Sequence, residues 1–460
     1  MTTTGEFSVR GKQVTVVGAA RSGVAAAHLL VRRGASVLLT DVRPEIAEAA
    51  ELRAAGVRLE LGTNASGTLK RSDLIVLSPG VSLEEAGVAA ARAAGVPVIG
   101  ELELASRWLR GRIVAITGTK GKSTTTTLTG RMLEAGGLRV RLGGNIGHAL
   151  SAHVDDSTDD TIHVVEASSF QLETTDTFRP WIAVLLNFSP DHLDRHVTLD
   201  AYAAAKSRIF VNQAASDWAV LNADDPAVIQ MAAAAPSRRL VFSMSDSLAS
   251  GVLVRGDEIV RRTDEGDQPL VPLTSVQLLG RHLIADVLAA SAVASLAGVD
   301  SEAMTRAVGE FKGLEHALEP VAEIGGVLFV NDSKATNVEA ARRAIESFER
   351  VVVIMGGRFK GGDLRELREP LARRGGVVVA IGEARALIRS ELGDAVPVHE
   401  AGDMHKAVRT AFASAPPRGA VVLAPACASF DMFRDYAERG RVFKQEVARL
   451  QDEWSGVREQ

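Results

Sequence analysis

The stretch Ile113-Val114-Ala115-Ile116-Thr117-Gly118-Thr119-Lys120-Gly121-Lys122-Ser123-Thr124 decides how this chain is read. A β-branched apolar run ends in a glycine-rich turn that opens a helix, the layout that cradles a nucleoside triphosphate. The glycines let backbone N–H groups approach phosphate oxygens, Lys122 offers a point charge to the β and γ groups, and Ser123 is placed to ligate Mg²⁺. The loop is shorter than the usual P-loop, because Ile116 occupies the place of its first glycine and the run starts only at Gly118.

Polar groups cluster where neighbouring strands end. Glu166 follows Ile162-His163-Val164-Val165, where an acid reaches a metal held by a phosphate loop. After Val184-Leu185-Leu186 comes Asn187-Phe188-Ser189-Pro190-Asp191-His192-Leu193-Asp194-Arg195-His196. His192, between two aspartates at a strand terminus, reads as functional; His196 by itself reads as a packed or surface group. Lys206 falls in the helical run Tyr202 to Phe210, where the default for a lysine is a solvated face.

The strand-turn-helix rhythm extends in both directions. Upstream, Val14 to Val17, Val37 to Thr40, Leu74 to Leu77 and Val96 to Ile99 read as strands around a helix from Val24 to Arg33. In the middle, Ile182 to Leu186 and Trp218 to Leu221 join the sheet, and Ser243 to Thr274 reads as a small antiparallel excursion. Downstream, Val327 to Val330, Val351 to Met355, Val377 to Ile381 and Val421 to Leu423 make a third cycle. The fold class is therefore α/β, three doubly wound units in series, with domains expected at 1–110, 111–313 and 314–460 and hinges near Gly111 and Phe311.

In the first unit, Gly18-Ala19-Ala20-Arg21-Ser22-Gly23 resembles a dinucleotide fingerprint whose middle glycine is Ala20, with Asp41 closing the next strand. Two readings stay open: a nucleotide-diphosphate site of altered geometry, or a tight turn that needs glycine. Ser78-Pro79-Gly80 ends another strand facing the same crevice. In the third unit, Asn331 to Asn337 and Gly356 to Asp363 put cations and donors at strand ends, suited to a small anion. A helix is expected near Ser429, after Pro425-Ala426-Cys427-Ala428.

With 460 residues, 46% hydrophobic and 24% charged, the chain exceeds one core, and a net charge of −5 without a basic stripe argues against nucleic acid. Cys427 is the single cysteine, which excludes intrachain disulfides and cysteine-based zinc sites; it reads as a small buried filler. The polar start, Met1 to Gln13, and the absence of about 18 uninterrupted apolar residues make a secretory signal or membrane span unexpected, so the cytoplasm is the expected location.

Taken together, Gly118 to Thr124, Gly143-Gly144-Asn145-Ile146-Gly147, Glu166 through Ser168-Ser169-Phe170-Gln171-Leu172-Glu173, and Asp191 to His196 are similar, in order and spacing, to the Mur ligase family over nearly the whole chain. The stretches Asn331 to Asn337 and Ser429 to Asp431 point to its D-glutamate-adding branch. The resemblance implies an N-terminal Rossmann-like nucleotide-sugar domain, a central P-loop-type ATPase domain and a C-terminal Rossmann-like domain. It implies an ATP-dependent amide ligase that joins D-glutamate to UDP-N-acetylmuramoyl-L-alanine in peptidoglycan precursor synthesis, through an acyl phosphate, and works as a monomer.

By the same resemblance Ser22, Arg43 and Gly80, with Asn145 and Ser168, serve the uridine diphosphate substrate. The loop Gly118, Thr119, Lys120, Gly121, Lys122, Ser123 and Thr124 holds ATP, joined by His282, Asp332 and Lys334. Ser123, Glu166, His192 and Lys206 are the implied Mg²⁺ ligands, for two ions, with Lys206 carbamylated by CO₂; Lys122, Glu166, His192 and Lys206 are the implied catalytic set. Thr336, Lys360, Ser429, Phe430 and Tyr436 are implied to clasp the glutamate. The chain departs from the family at Leu283 and Asp286, where Gly-x-His-Asn-x-x-Asn has asparagines, and at Ala317, where a His-Arg pair has arginine. These changes bear on nucleotide binding. They leave open an amide ligase using another amino acid and a catalytically weakened nucleotide-binding paralogue.

Overall fold

The computed structural model describes residues 7–63, 66–191, 195–277 and 282–458. The chain forms two compact units, one running through Val276 and adding Ile284–Glu310, the other containing Phe311 onward.

The first unit carries two sheets. Among the described residues the first has β1 (Gln13–Val17), β2 (Ser36–Asp41), β3 (Arg58–Leu61), β4 (Leu74–Leu77) and β5 (Val98–Gly100), all parallel, in the order β3-β2-β1-β4-β5. Val14–Val17 and Leu74–Leu77 are buried throughout, as strands covered on both faces must be. The order reverses between β1 and β4, so the turns at Gly18 and Ser78 lie side by side at the strand ends.

The second sheet has β6 (Arg112–Thr117), β7 (Arg139–Gly144), β8 (Thr161–Glu166), β9 (Ile182–Leu185), β10 (Trp218–Asn222), β11 (Arg238–Ser243), β12 (Gly251–Arg255), β13 (Glu258–Thr263) and β14 (Gly266–Pro272). Its order, β14-β13-β12-β11-β10-β9-β6-β8-β7, seats β6 between β9 and β8, and the strand-end loops of all three converge. The segment read as a separate excursion is part of this sheet: β12 pairs parallel with β11 through Phe242 and Val252, and only β13 and β14 turn antiparallel.

Two buried glutamates weld these sheets together. Glu103, on the helix Glu101–Ser106 that leaves the first sheet, accepts the backbone N–H groups of Asp176, Thr177 and Phe178, the Thr177 hydroxyl and the Arg107 guanidinium. Burial pushes its carboxyl up, but these donors outweigh that and hold it below the usual value. Glu101 accepts the Ser151 N–H at 2.6 Å. Gly111, expected as a hinge, lies inside this unit at φ 87°, where an added Cβ would meet the Thr161 carbonyl oxygen at 2.1 Å.

The second unit has β15 (Glu319–Ile324), β16 (Val327–Asn331), β17 (Val351–Gly356), β18 (Val377–Ile381), β19 (Val398–Glu400) and β20 (Ala420–Leu423). They are ordered β15-β16-β20-β17-β18-β19, with β15 antiparallel and the rest parallel. The loops after β16, β20 and β17 therefore share one edge. Helices pack apolar faces on both sides of the sheet, Ala341, Ala344 and Ile345 on one and Ala407, Val408 and Ala411 on the other.

Candidate active site

The glycine-rich loop expected to hold phosphates runs from β6 to the helix Lys122–Ala135. Gly118 (φ 155°) and Gly121 (φ 80°) adopt backbone that other residues resist, and the helix takes no side-chain N-cap, which suits it to an anion. Asn187, at the end of the neighbouring strand, braces the loop. Its Oδ1 accepts the Lys120 N–H (2.8 Å), its Nδ2 donates to the Lys120 carbonyl (3.1 Å), and its own carbonyl accepts the Thr119 N–H. The Lys120 ammonium pairs with Asp191 at 3.0 Å, and Thr119 exchanges hydrogen bonds with Ser189.

Two lysines converge on one carbonyl. Lys122 Nζ donates to the Gly118 and Thr119 oxygens (both 3.0 Å), and Lys206 Nζ donates to the same Gly118 oxygen at 2.8 Å. Lys206, on the helix Leu199–Ser207, is 1% exposed, so the solvated face expected for it is wrong. The helix lies with that residue inward because Tyr202 is buried beside it, its ring 4.7 Å from the ammonium. Burial, reinforced by the Lys122 charge, lowers the Lys206 pKa to about 7.

Glu166 ends β8 and is 2% exposed. One carboxylate oxygen accepts the Asn145 amide at 2.8 Å, and the other is buried with no hydrogen-bond partner among the described residues. An orphaned carboxylate oxygen at a strand end next to that of the phosphate loop, with the Ser123 hydroxyl at the helix start, is the hard oxygen chemistry that Mg²⁺ takes. Asn145, expected on the substrate, is held by Glu166 through both its amide and its backbone N–H. His192 lies outside the described residues, as does the His282 side chain. His196 is packed: Nε2 meets Ser169 Oγ at 2.9 Å, and the ring stacks on Phe170.

Asp286 sits behind the loop. It is 5% exposed and accepts from Thr125 Oγ1 at 3.1 Å, and a Cβ on Gly121 would come within 2.2 Å of its Oδ1. Burial raises its pKa to about 8. Thr124 is half-buried on the same helix.

Near the first sheet, Ser22 is half-buried in the first turn of the helix Arg21–Arg32. Asp41 accepts the Ala19 N–H (2.7 Å) and grips the Arg43 guanidinium twice at 2.9 Å, which leaves Arg43 half-exposed and keeps the Asp41 carboxyl far below the usual range. Gly18 (φ 94°) and Gly23 are both required sterically, since a Cβ on Gly23 would fall 1.9 Å from the Gly18 oxygen. Gly80 is exposed at the neighbouring turn. Ser168 has a local role: it caps the helix Ser169–Leu172 in a reciprocal box with Gln171.

In the second unit, Thr336 is half-buried, Lys334 and Lys360 are exposed, and Ser429 is buried, each in a loop after β16, β17 or β20. Phe430 and Tyr436 expose 64% and 41% of their surface, unusual for large apolar groups. Burial lifts the Asp332 pKa to about 7. The helix expected near Ser429 begins instead at Tyr436, because Asp435 Oδ1 accepts the Glu438 N–H (2.7 Å) and supplies the cap, while Ser429 sits in turns. Cys427 is a buried filler, its thiol pushed up to about 12 by burial. Of the residues placed here, Asn187 stood inside the polar run after a predicted strand, and Asp286 stood out as a departure from the family pattern.

Comparison with known proteins places this geometry. Residues 12–100 match the Mur ligase MurD-like N-terminal domain, 116–294 the Mur ligase middle domain, and 318–427 the Mur ligase glutamate ligase domain. The UDP-N-acetylmuramoylalanine–D-glutamate ligase of Acidobacterium capsulatum is 48% identical over 95% of this chain and 96% of its own length. That of Koribacter versatilis is 43% identical over 97% and 99%. Among solved structures, a pseudomurein peptide ligase type C from Methanothermus fervidus (TM-score 0.59, 16% identity, covering 96% of this chain and 100% of that one) shares the fold. So does the UDP-N-acetylmuramate–alanine ligase of Thermotoga maritima (TM-score 0.58, 19% identity, 96% and 100%). The chain belongs to the Mur ligase family, within the branch of the UDP-N-acetylmuramoylalanine–D-glutamate ligases.

Proposed function

We propose that this chain adds D-glutamate to UDP-N-acetylmuramoyl-L-alanine at the expense of ATP, in the cytoplasm and as a monomer, with domains at 1–110, 111–313 and 314–460. The observation that carries the reading is the buried Glu166 oxygen, unpartnered among the described residues, at the strand end beside the phosphate-loop strand. A carboxylate is a poor electrophile; phosphorylation by ATP makes it an acyl phosphate, and attack by the glutamate amine releases phosphate and forms the amide. In this reading the helix start and Lys122 hold the phosphates, Lys122 leaving the loop carbonyls it now bonds. Ser123, Glu166, His192 and carbamylated Lys206 hold two Mg²⁺ ions. Bound there, Mg²⁺ offsets the charge that develops on the transferring phosphoryl group. Asn145 orients Glu166.

Lys206 suits carbamylation because an amine with a pKa near 7 is substantially neutral at physiological pH. The neutral nitrogen adds to CO₂ with loss of a proton, turning a cation into an anion. Ser22, Arg43 and Gly80 serve the uridine diphosphate, His282, Asp332 and Lys334 the nucleotide, and Thr336, Lys360, Ser429, Phe430 and Tyr436 the amino acid. The family departure at Asp286 does not favour a weakened paralogue, since the side chain is built into the support of the phosphate loop. The test is phosphate release from ATP with the UDP precursor and single amino acids. Release that requires both the precursor and D-glutamate is expected; release without the precursor, or preference for another amino acid, overturns the reading.

A further inference from the structure

In the second unit a buried positive charge lies under the loops assigned to the amino acid. Arg439, on the helix Tyr436–Arg458, is 1% exposed. Its Nε donates to Ser333 Oγ (2.9 Å), Nη2 to the Ser333 carbonyl (2.8 Å), and Nη1 to the carbonyls of Cys427 (3.1 Å) and Gly356 (3.5 Å). Among the described residues no carboxylate ion-pairs with it. Asp431 acts on it through space but makes no ion pair with it: one of its oxygens accepts the Glu383 N–H, and the other is buried with no hydrogen-bond partner among the described residues. Cys427 offers no thiolate, its thiol being pushed up to about 12. A buried cation satisfied only by neutral oxygens is costly, and an apolar side chain of similar size serves packing better.

The three carbonyls that Arg439 grips lie in the loops after β16 and β20 and on Gly356, the last residue of β17. Thr336, Lys360 and Ser429 stand a few residues further along the same loops. Backbone bonds stitch the loops at the intervening positions: the Ala426 N–H donates to Ala335, and Arg358 and Ala428 exchange two bonds, each 2.9 Å. Gly357 (φ 128°) permits that approach, since a Cβ there would fall 2.1 Å from the Ala428 oxygen.

We propose that Arg439 is a positioning residue of the amino-acid site: its guanidinium keeps the loops carrying Thr336, Lys360 and Ser429 in register, and its charge, which no carboxylate ion-pairs among the described residues, biases that site toward a dicarboxylic amino acid. The inference rests on the D-glutamate reading above. In a poorly solvated interior such a charge acts beyond contact distance, and the carboxylates of the substrate add counter-charge to the little that Asp431 supplies from outside ion-pair range.

The test compares the full-length protein with its Arg439→Lys and Arg439→Gln variants, varying ATP, the UDP precursor and D-glutamate separately and recording thermal unfolding. Expected for Arg439→Gln is a rise of about tenfold or more in KM for D-glutamate, with the KM values for ATP and precursor within about twofold. Arg439→Lys, which keeps the charge and loses the fork, falls between. An Arg439→Ala variant regains D-glutamate affinity in millimolar guanidinium ion. Equal loss for all three substrates, or an unchanged D-glutamate KM, overturns the proposal. A wild-type protein inactive with D-glutamate overturns the functional reading instead. Where the Arg439 variants do not fold, Ser333→Ala removes the oxygen that receives Nε; a rise of about threefold in D-glutamate KM alone supports the proposal, and no change overturns it.

Discussion

Replacing Asp286 by asparagine is expected to stabilise this protein, and to do so more at higher pH. The carboxyl is buried, its one hydrogen-bond donor among the described residues is Thr125, and burial raises its pKa from 3.8 to about 8. Between those two values the folded chain keeps a proton that the unfolded chain has released. Stability is therefore fully present below the lower value and is lost as pH rises toward the upper one, by about 1.4 kcal/mol per pH unit. At pH 7 the accumulated penalty is on the order of 4 kcal/mol. An asparagine at position 286 carries no such penalty. Its oxygen still accepts from Thr125, while its second amide hydrogen needs a partner and costs about 1 to 3 kcal/mol where it finds none.

The expected net gain is thus about 1 to 3 kcal/mol at pH 7. The assay is urea unfolding of both proteins in matched buffers from pH 5 to pH 9. Subtracting one curve from the other cancels the titrations they share. The difference is expected to climb with pH up to about 8 and then level off. Parallel curves, with a difference independent of pH, refute the argument that Asp286 is held neutral.

Gly121→Ala is expected to abolish ATP binding and cost more than about 1 kcal/mol, because φ is 80° and the new Cβ would meet Asp286 Oδ1 at 2.2 Å; normal ATP affinity by calorimetry would contradict this. For Lys206, ¹³C NMR after equilibration with labelled bicarbonate should show a carbamate resonance above about pH 7 that Lys206→Ala lacks; identical spectra remove the carbamate from the proposal. Glu103→Ala should destabilise the first unit by about 3 to 5 kcal/mol, as the N–H groups of residues 176–178 and Arg107 lose their acceptor; a loss under about 1 kcal/mol in chemical unfolding would show that water replaces it.

Central strands were legible and several others were not. Leu74–Leu77 and Val377–Ile381 coincide with their apolar runs, because a strand covered on both faces has no reason to carry a polar residue. Arg58–Leu61, Arg139–Gly144 and Arg238–Ser243 open on arginines and escape such a reading. The first two are edge strands, where one side faces solvent and charge is tolerated. Arg238–Ser243 lies inside the sheet, but its first two residues are exposed, with Arg238 packed over Trp218. The glycine turn after Arg112–Thr117 and the burial of Glu166 at the end of its strand were legible because each closes an apolar run that reads as a buried strand.

The residues that sequence pattern misplaces share one cause. Periodicity scores a charged side chain as outward-facing, since an unpaired charge is too costly to bury. Lys206, Arg439, Glu101 and Glu103 are nonetheless buried. Lys206 and Arg439 donate to backbone carbonyls; Glu101 and Glu103 accept from backbone N–H groups. Those partners come from chain segments tens of residues away, so no window of sequence contains both halves of the interaction. Lys206 and Arg439 use carbonyls at or beyond the carboxyl ends of strands, whereas Glu101 and Glu103 use N–H groups in the short helix Leu150–His153 and in the loop that leads into β9. A doubly wound sheet gathers such loops at one edge, where ligands also bind. The two buried cations therefore collect at these loops for a topological reason as well as a chemical one. A charge that no carboxylate ion-pairs there among the described residues, as at Arg439, is the one whose counter-ion is sought in the substrate.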